Sequence, residues 1–447
     1  MVYLPHTDED RREMLDTIGV GSLEALFGDI PEEARFPKLD LPPPCSEMEI
    51  RQELSDLARQ NEDLSRQHCF LGAGTYNHFS PATVDYVLSR GEFYSAYTPY
   101  QPEISQGTLQ SMFEYQSMIC RLTAMEVSNA SHYDGATSLA EGVLLALGRG
   151  KRQKVIISGA VHPQYRAVVE TYLRGTDAAV IGGAPFESAA SLTRFLDDET
   201  AALVVQQPNF FGQFEAVTGL ADAVHAVGSL LIVVVDPVSL GAFQAPGDYG
   251  ADVVVADGQA LGISPSFGGP HVGIFATRKD HIRHLAGRLV GETTDAAGRR
   301  GYVLTLGTRE QHIRRAKATS NICTNAALIA LGTAVYLATL GKTGLRQVAE
   351  LCYQKSHYAA REIAQLPGVT LNPQAPAGDF FKEFVVRLPK SSAKVNQTLL
   401  KDFGVIGGYD LTRDFPELDR HMLIAVTEMN TRAAIDHLVE GLKRAIG

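Results

Sequence analysis

Leu230-Leu231-Ile232-Val233-Val234-Val235-Asp236 is the stretch that decides the fold. It is an unbroken apolar run of strand length, rich in β-branched residues, and it closes on a carboxylate. A half-buried strand alternates apolar and polar residues; an unbroken run is buried on both faces, as in a parallel sheet covered by helices. Similar runs stand on either side: Val155-Ile156-Ile157-Ser158, Ala179-Val180-Ile181, Ala202 to Gln206 and Val253-Val254-Val255-Ala256. Helical stretches at Pro163 to Leu173, Ser191 to Leu196 and Leu220 to Val227 separate them. This alternation predicts an α/β domain with a mainly parallel sheet.

The flanks differ from this centre. Before it lies a helical N-terminal extension, in which Thr7 and Ser46 are placed to cap helices and Leu41-Pro42-Pro43-Pro44 forms a stiff spacer. Such an extension either wraps its own core or embraces a partner. After the centre, a helix from about Asn325 to Leu340, a second through Arg361, strands at 384–388 and 422–426 and a last helix from Thr431 to Ala445 read as a smaller α+β domain. The expected division is 1–65, 66–325 and 326–447.

The 447 residues carry a formal net charge of −11, which argues against a nucleic-acid partner. The five cysteines are widely spaced, so neither a disulfide framework nor a zinc site is predicted, and a reducing cytoplasm is the expected compartment. The N-terminus lacks the pattern of a signal peptide, and no membrane span is expected.

Ligands of a parallel sheet gather beyond the carboxyl ends of its strands. Asp134-Gly135-Ala136-Thr137-Ser138 opens a helix there, and its small residues allow backbone N–H groups to approach a phosphate. Plain capping, with Ser138 and Glu141 as a capping box, explains the same residues. Asp236 is placed to meet a pyridinium nitrogen, a metal or a ribose, or simply to make a turn. Asp257-Gly258-Gln259-Ala260-Leu261-Gly262 and Ser266-Phe267-Gly268-Gly269-Pro270 follow the next strand but do not form a dinucleotide fingerprint. With His162 after an early strand, this layout resembles the fold-type-I enzymes of pyridoxal phosphate (PLP), whose cofactor is held by a lysine in the last loop. No lysine stands between Lys154 and Lys279, so that attachment is missing.

Residues 70–120 are dense in Gly, Pro and Tyr, as functional loops are. Cys69 to His78 reads CFLGAGTYNH, Phe93 to Gly107 reads FYSAYTPYQPEISQG, Ser131 to Thr137 reads SHYDGAT, and Thr319 to Asn325 reads TSNICTN. Together with SFGGP, these runs resemble the alpha (N-terminal) subunit family of the two-subunit glycine decarboxylase, the P-protein of the glycine cleavage system. The resemblance spans essentially the whole chain. It implies an alpha/beta assembly, expected as α2β2, in which both subunits share the PLP fold and the beta subunit carries lysine and PLP. Glycine is decarboxylated on PLP, and the aminomethyl group passes to the lipoyl arm of the H-protein. By analogy with other sites at dimer interfaces, Tyr94, Tyr97, Tyr100, Gln101, Glu103, Ser105 and Gln106 would lie near the partner's site, or else stabilise the interface alone. Asp134, Gly135, Ala136, Thr137, His162 and Asp236 would then form a relic cofactor pocket that keeps fold-supporting roles. Two alternatives stay open: an independent PLP-fold lyase with an unrecognised lysine, and a structural or regulatory pseudo-enzyme.

Overall fold

The structure is a computed structural model that describes residues 5–307, 310–318, 320–373 and 378–447; Thr319 of the TSNICTN run lies outside them. The chain forms two compact units, Met1–Glu62 and Asp63–Gly447.

The first unit holds helices α1 (Asp8–Ile18) and α2 (Glu47–Ala58). Each starts at the expected residue. The Thr7 hydroxyl accepts from the Asp10 N–H and the Ser46 hydroxyl from the Glu49 N–H, and each acid reaches back to the backbone N–H of its cap. Gly19 ends α1 in the left-handed conformation, with φ 83°.

The second unit is built on a seven-stranded sheet. Its strands are β1 (Val127–Ser128), β2 (Lys154–Ile157), β3 (Ala179–Ile181), β4 (Thr200–Gln207), β5 (Leu230–Val235), β6 (Val253–Asp257) and β7 (Gly273–Thr277), in the order β1-β7-β6-β5-β4-β2-β3. The pairs among β2 to β6 are parallel, as the unbroken apolar runs predict. β7 and β1 join antiparallel at one edge; the sequence reading missed both, since each is short and set among turn residues. Val233 and Val235 pack into one hydrophobic layer while Ile232 and Val234 pack into the other, so every apolar side chain from Leu230 to Val235 is buried. Helices α3 (Gln106–Thr123), α4 (Gly135–Leu147), α5 (Pro163–Leu173) and α6 (Leu220–Ala226) contribute to these layers. The expected helix at 191–196 is a 3-10 helix, Ala189–Phe195, begun by the Ser188 hydroxyl.

A four-stranded antiparallel sheet follows, made of β8 (Thr370–Leu371), β9 (Glu383–Arg387), β10 (Tyr409–Asp410) and β11 (His421–Ala425) in the order β8-β9-β11-β10. Helices α8 (Ser392–Phe403) and α9 (Arg432–Ile446) supply Leu399, Ile435 and Leu438 to its core. Between the sheets runs α7 (Ala327–Ala364), broken at Gly341, where φ 58° and ψ −176° suit glycine alone. By length and composition α7 also passes as a membrane span, which the sequence reading did not anticipate. Its Ala330, Ala334 and Tyr336 pack into the core of the large sheet, as in an interior helix.

Candidate functional site

The carboxyl ends of β5 and β6 bring Asp236 and Asp257 beside the start of α4. The Asp134 carboxylate accepts from the Thr137 N–H at 2.7 Å, and the Thr137 hydroxyl accepts from the Asp134 N–H at 3.2 Å. The capping box is therefore Asp134 with Thr137, which corrects the expected Ser138 and Glu141. Ser138 turns back to the Asp134 carbonyl at 2.7 Å, and Glu141 accepts from the Ser320 hydroxyl. The Gly135 N–H, the donor best placed for a phosphate, is taken by the Asp257 carboxylate at 3.2 Å. A methyl group at Gly135 would strike the Tyr165 hydroxyl. An internal carboxylate and an internal phenol thus occupy the anion position, and carboxylate and phosphate would repel one another there.

Asp236 is met in the same way. The Lys382 ammonium lies 2.8 Å from its carboxylate, and the Lys382 side chain is 1 % exposed. The ammonium also lies 3.4 Å from the centroid of the Tyr76 ring and 3.1 Å from His78 Nε2. An ammonium has only protons to give, so His78 Nε2 is the acceptor and Nδ1 carries the ring proton. That proton points to Glu428 at 2.7 Å. Burial, then the Lys382 charge, depress the His78 pKa and keep the ring neutral. Burial pushes Glu428 up, but the hydrogen bonds it accepts from His78 and from backbone N–H groups outweigh this and bring it to about 2. Glu383 accepts from the Ala73 N–H and the Tyr76 hydroxyl, each at 2.7 Å; burial dominates and raises its pKa to about 7. His78, Cys352 and Glu428 gather in a metal-like group with ligand atoms within 4.8 Å of one another. The adjacent Lys382 ammonium already supplies positive charge to this network. Lys382 immediately precedes β9 and Glu383 begins it, and the network ties the CFLGAGTYNH strap to the small sheet.

His162 caps α5, accepting from the Gln164 N–H at 3.2 Å. Its Nε2 faces the Ala73 carbonyl at 2.9 Å, and its ring stacks on Tyr165 with centroids 4.8 Å apart. Between these groups remains a cavity of about 40 Å³, lined by Tyr76, His162, Tyr165, Phe210, Asp236 and Asp257. A cofactor pocket needs at least about 300 Å³. These residues do not fit PLP.

The Tyr-rich loop lines a different cavity. Tyr94 and Tyr97 are 71 % and 84 % exposed, and they border a largely apolar hollow of about 400 Å³ with Thr108, Met112, Asn325 and Ala327. Tyr100 and Gln106 hold the loop instead. The Tyr100 hydroxyl accepts from Arg288 Nη2 at 3.0 Å, while the Gln106 amide bonds both the N–H and the carbonyl of Tyr302. Gln101 and Glu103 are exposed, and Ser105 is half-buried at the start of α3. Nearby, Phe267 in the SFGGP loop is 94 % exposed.

Sequence reasoning missed Lys382, Glu383, Glu428, Tyr165 and Arg288. No lysine stands between Lys154 and Lys279, whereas the lysine that meets Asp236 is Lys382, just before β9 of the small sheet. A buried Lys-Glu pair opening an apolar strand, Lys382-Glu383-Phe384-Val385-Val386, was the available signal.

Comparisons place this chain among known proteins. The family model described as glycine cleavage system P-protein matches residues 1–442. The probable glycine dehydrogenase (decarboxylating) subunit 1 of Thermomicrobium roseum is 54 % identical over 452 residues, covering 100 % of both chains. That of Geobacillus kaustophilus is 52 % identical and covers 98 % of each. A crystal structure of glycine decarboxylase (P-protein) of the glycine cleavage system, in inhibitor-bound form, superimposes with a TM-score of 0.91 at 46 % identity over 100 % of both chains. The Lactobacillus brevis glutamate decarboxylase, at TM-score 0.65 and 15 % identity over 94 % of this chain and 97 % of its own, shares the fold alone. The expected α/β architecture of fold-type-I PLP enzymes is thus confirmed. On its full-length sequence match and its matching fold, the chain belongs to the glycine cleavage system P-protein family.

Proposed function

We propose that this chain is the half of a two-chain glycine decarboxylase that shapes the active site while a second subunit holds the PLP. As subunit 1 of glycine dehydrogenase (decarboxylating), it serves glycine breakdown in the glycine cleavage system. Glycine loses its carboxylate as CO2, and the aminomethyl group passes to the lipoyl group of the H-protein. One observation carries the division of labour: Lys382 stands against Asp236, where a pyridinium ring would sit. The chain that fills its own pocket with a buried ammonium leaves the cofactor to its partner.

The contribution of this chain is the loop from Tyr94 to Gln106. Tyr94 and Tyr97 project from a loop anchored by Tyr100 and Gln106. Their hydroxyls, with the Gln101 amide, are suited to orient a carboxylate or a lipoyl arm at the edge of the partner's site, with Glu103 and Ser105 beside them. The assembly is an α2β2 tetramer in this reading. Five cysteines with no disulfide among them fit a cytoplasmic setting.

The test is exchange between glycine carboxylate and CO2, assayed with this chain alone, the second subunit alone and the two together. Exchange needs both chains in this reading, and borohydride fixes the cofactor to the second one. Exchange by this chain alone would sink the proposal. Tyr97→Ala lowers exchange by the complex at least about ten-fold without changing assembly. Unchanged exchange would favour a purely structural role for the loop.

A further inference from the structure

Taken by itself, the first unit leaves most of its large apolar side chains exposed. None of residues 5–62 is buried. Ile18, Phe36, Leu39, Leu41, Met48 and Leu54 are between 59 % and 77 % exposed. So dense a set of exposed large hydrophobics marks an interaction surface. In α2, Ile50, Leu54 and Leu57 recur at helical spacing on one face, and all three are exposed.

Local energetics do not explain why these helices form. At 11 and 12 residues, α1 and α2 are too short to hold in water by themselves. Their capping boxes fix where they begin and contribute only about 1 kcal/mol each. The remaining stabilisation has to come from covering the apolar face.

Charge selects what covers it. Residues 1–62 contain 15 acidic and 6 basic side chains, a net −9 out of the chain's −11, leaving −2 on residues 63–447. A copy of this chain would bring a second strongly acidic arm, and like charges oppose that pairing. A different chain, with an apolar groove rimmed by Lys and Arg, is the complement.

We propose that residues 5–62 form a clamp that docks on the second subunit, with the apolar faces of α1 and α2 in such a groove. This rests on the reading of the chain as one half of a two-chain enzyme. It adds the surface and the chemistry by which the halves hold together. Leu39, Leu41 and Met48, around the proline spacer, extend the contact between the helices.

The test uses the full-length chain co-purified with its second subunit. A photo-crosslinker, p-benzoylphenylalanine, replaces Leu54 in one preparation and Phe36 in another. Irradiation is expected to join this chain to the second subunit, identified by mass spectrometry. Adducts between two copies of this chain, adducts within one chain, or no adduct at either position overturn the proposal. In parallel, Ile50→Glu with Leu54→Glu is expected to raise the dissociation constant between the subunits at least about ten-fold. The thermal unfolding of this chain alone should stay in place, because both positions are exposed. Added salt should weaken the wild-type assembly. An unchanged dissociation constant counts against the clamp. If the clamp alone fails, an active two-chain enzyme remains whose arm crosslinks elsewhere; if the two-chain reading fails, this chain exchanges glycine carboxylate unaided.

Discussion

The Lys382 ammonium lies 2.8 Å from the Asp236 carboxylate, beyond the carboxyl end of the central strand β5. A carboxylate at the end of the central strand is held by a cation of the same chain. A buried charge without a counter-charge is costly, so the two residues are committed to each other.

Removing one partner should therefore be severe. Lys382→Met is expected to lower unfolding stability by about 3–5 kcal/mol, since Asp236 is left charged and unpaired. Adding Asp236→Asn should recover a large part of that loss, because the orphan charge goes with its partner. Urea unfolding of the two single variants and the double variant checks this. Additive losses would show that the ion pair does not couple the two residues.

Gly135 tests the closed anion cup. A methyl group there meets the Tyr165 hydroxyl and comes within 2.9 Å of the Asp257 nitrogen. Gly135→Ala is expected to cost about 1–3 kcal/mol by overpacking. Tyr165→Phe in the same chain should restore part of it by removing the hydroxyl in the way. A Gly135→Ala variant with wild-type stability in thermal unfolding would mean that the cup is open.

Glu383 gives the chain a pH signature. Its carboxyl is raised to about 7 by burial, against 4.5 when unperturbed. Between pH 4.5 and about 7 the folded state thus holds a proton that the unfolded state has lost. Stability falls as pH rises through this window, by on the order of 3 kcal/mol, and levels off above it. Glu141, also raised to about 7 by burial, acts in the same direction. Glu428, brought down to about 2, acts the other way at low pH: its contribution is present above about 4.5 and is lost as pH falls toward 2. Glu383→Gln should gain stability relative to the wild type between pH 5 and about 8. Parallel pH profiles for the two proteins would exclude this assignment.

Gly341 isolates a backbone effect. Nothing lies within 4 Å of a methyl group placed there, yet its φ of 58° with ψ of −176° suits only glycine. Gly341→Ala is expected to destabilise by about 1–3 kcal/mol through strain alone. A lowered Tm in calorimetry, with little change in the packing of neighbouring aromatic groups by near-ultraviolet circular dichroism, is the expected result.

Much of the fold is legible in local pattern. Unbroken β-branched runs give the five parallel strands, because a strand buried on both faces has no polar position to show. Thr7 and Ser46 announce their helices, because a cap is a local bond. β1 and β7 escaped that reading, since short edge strands among turns carry little periodicity. The tyrosines of residues 94–100 stand out by composition, but their division does not: Tyr94 and Tyr97 border a cavity while Tyr100 is tied to Arg288.

By itself the sequence determined the parallel sheet, its Asp236 terminus, the lack of a lysine between Lys154 and Lys279, and the motifs of the family. Only the tertiary structure decided what fills the pocket. Lys382 and His78 are 304 positions apart yet 3.1 Å apart in space. Hydrophobic periodicity encodes which faces are buried, and it does so within a few residues. The pairing of buried charges depends on how the small sheet packs against the large one, and no local pattern records that distance.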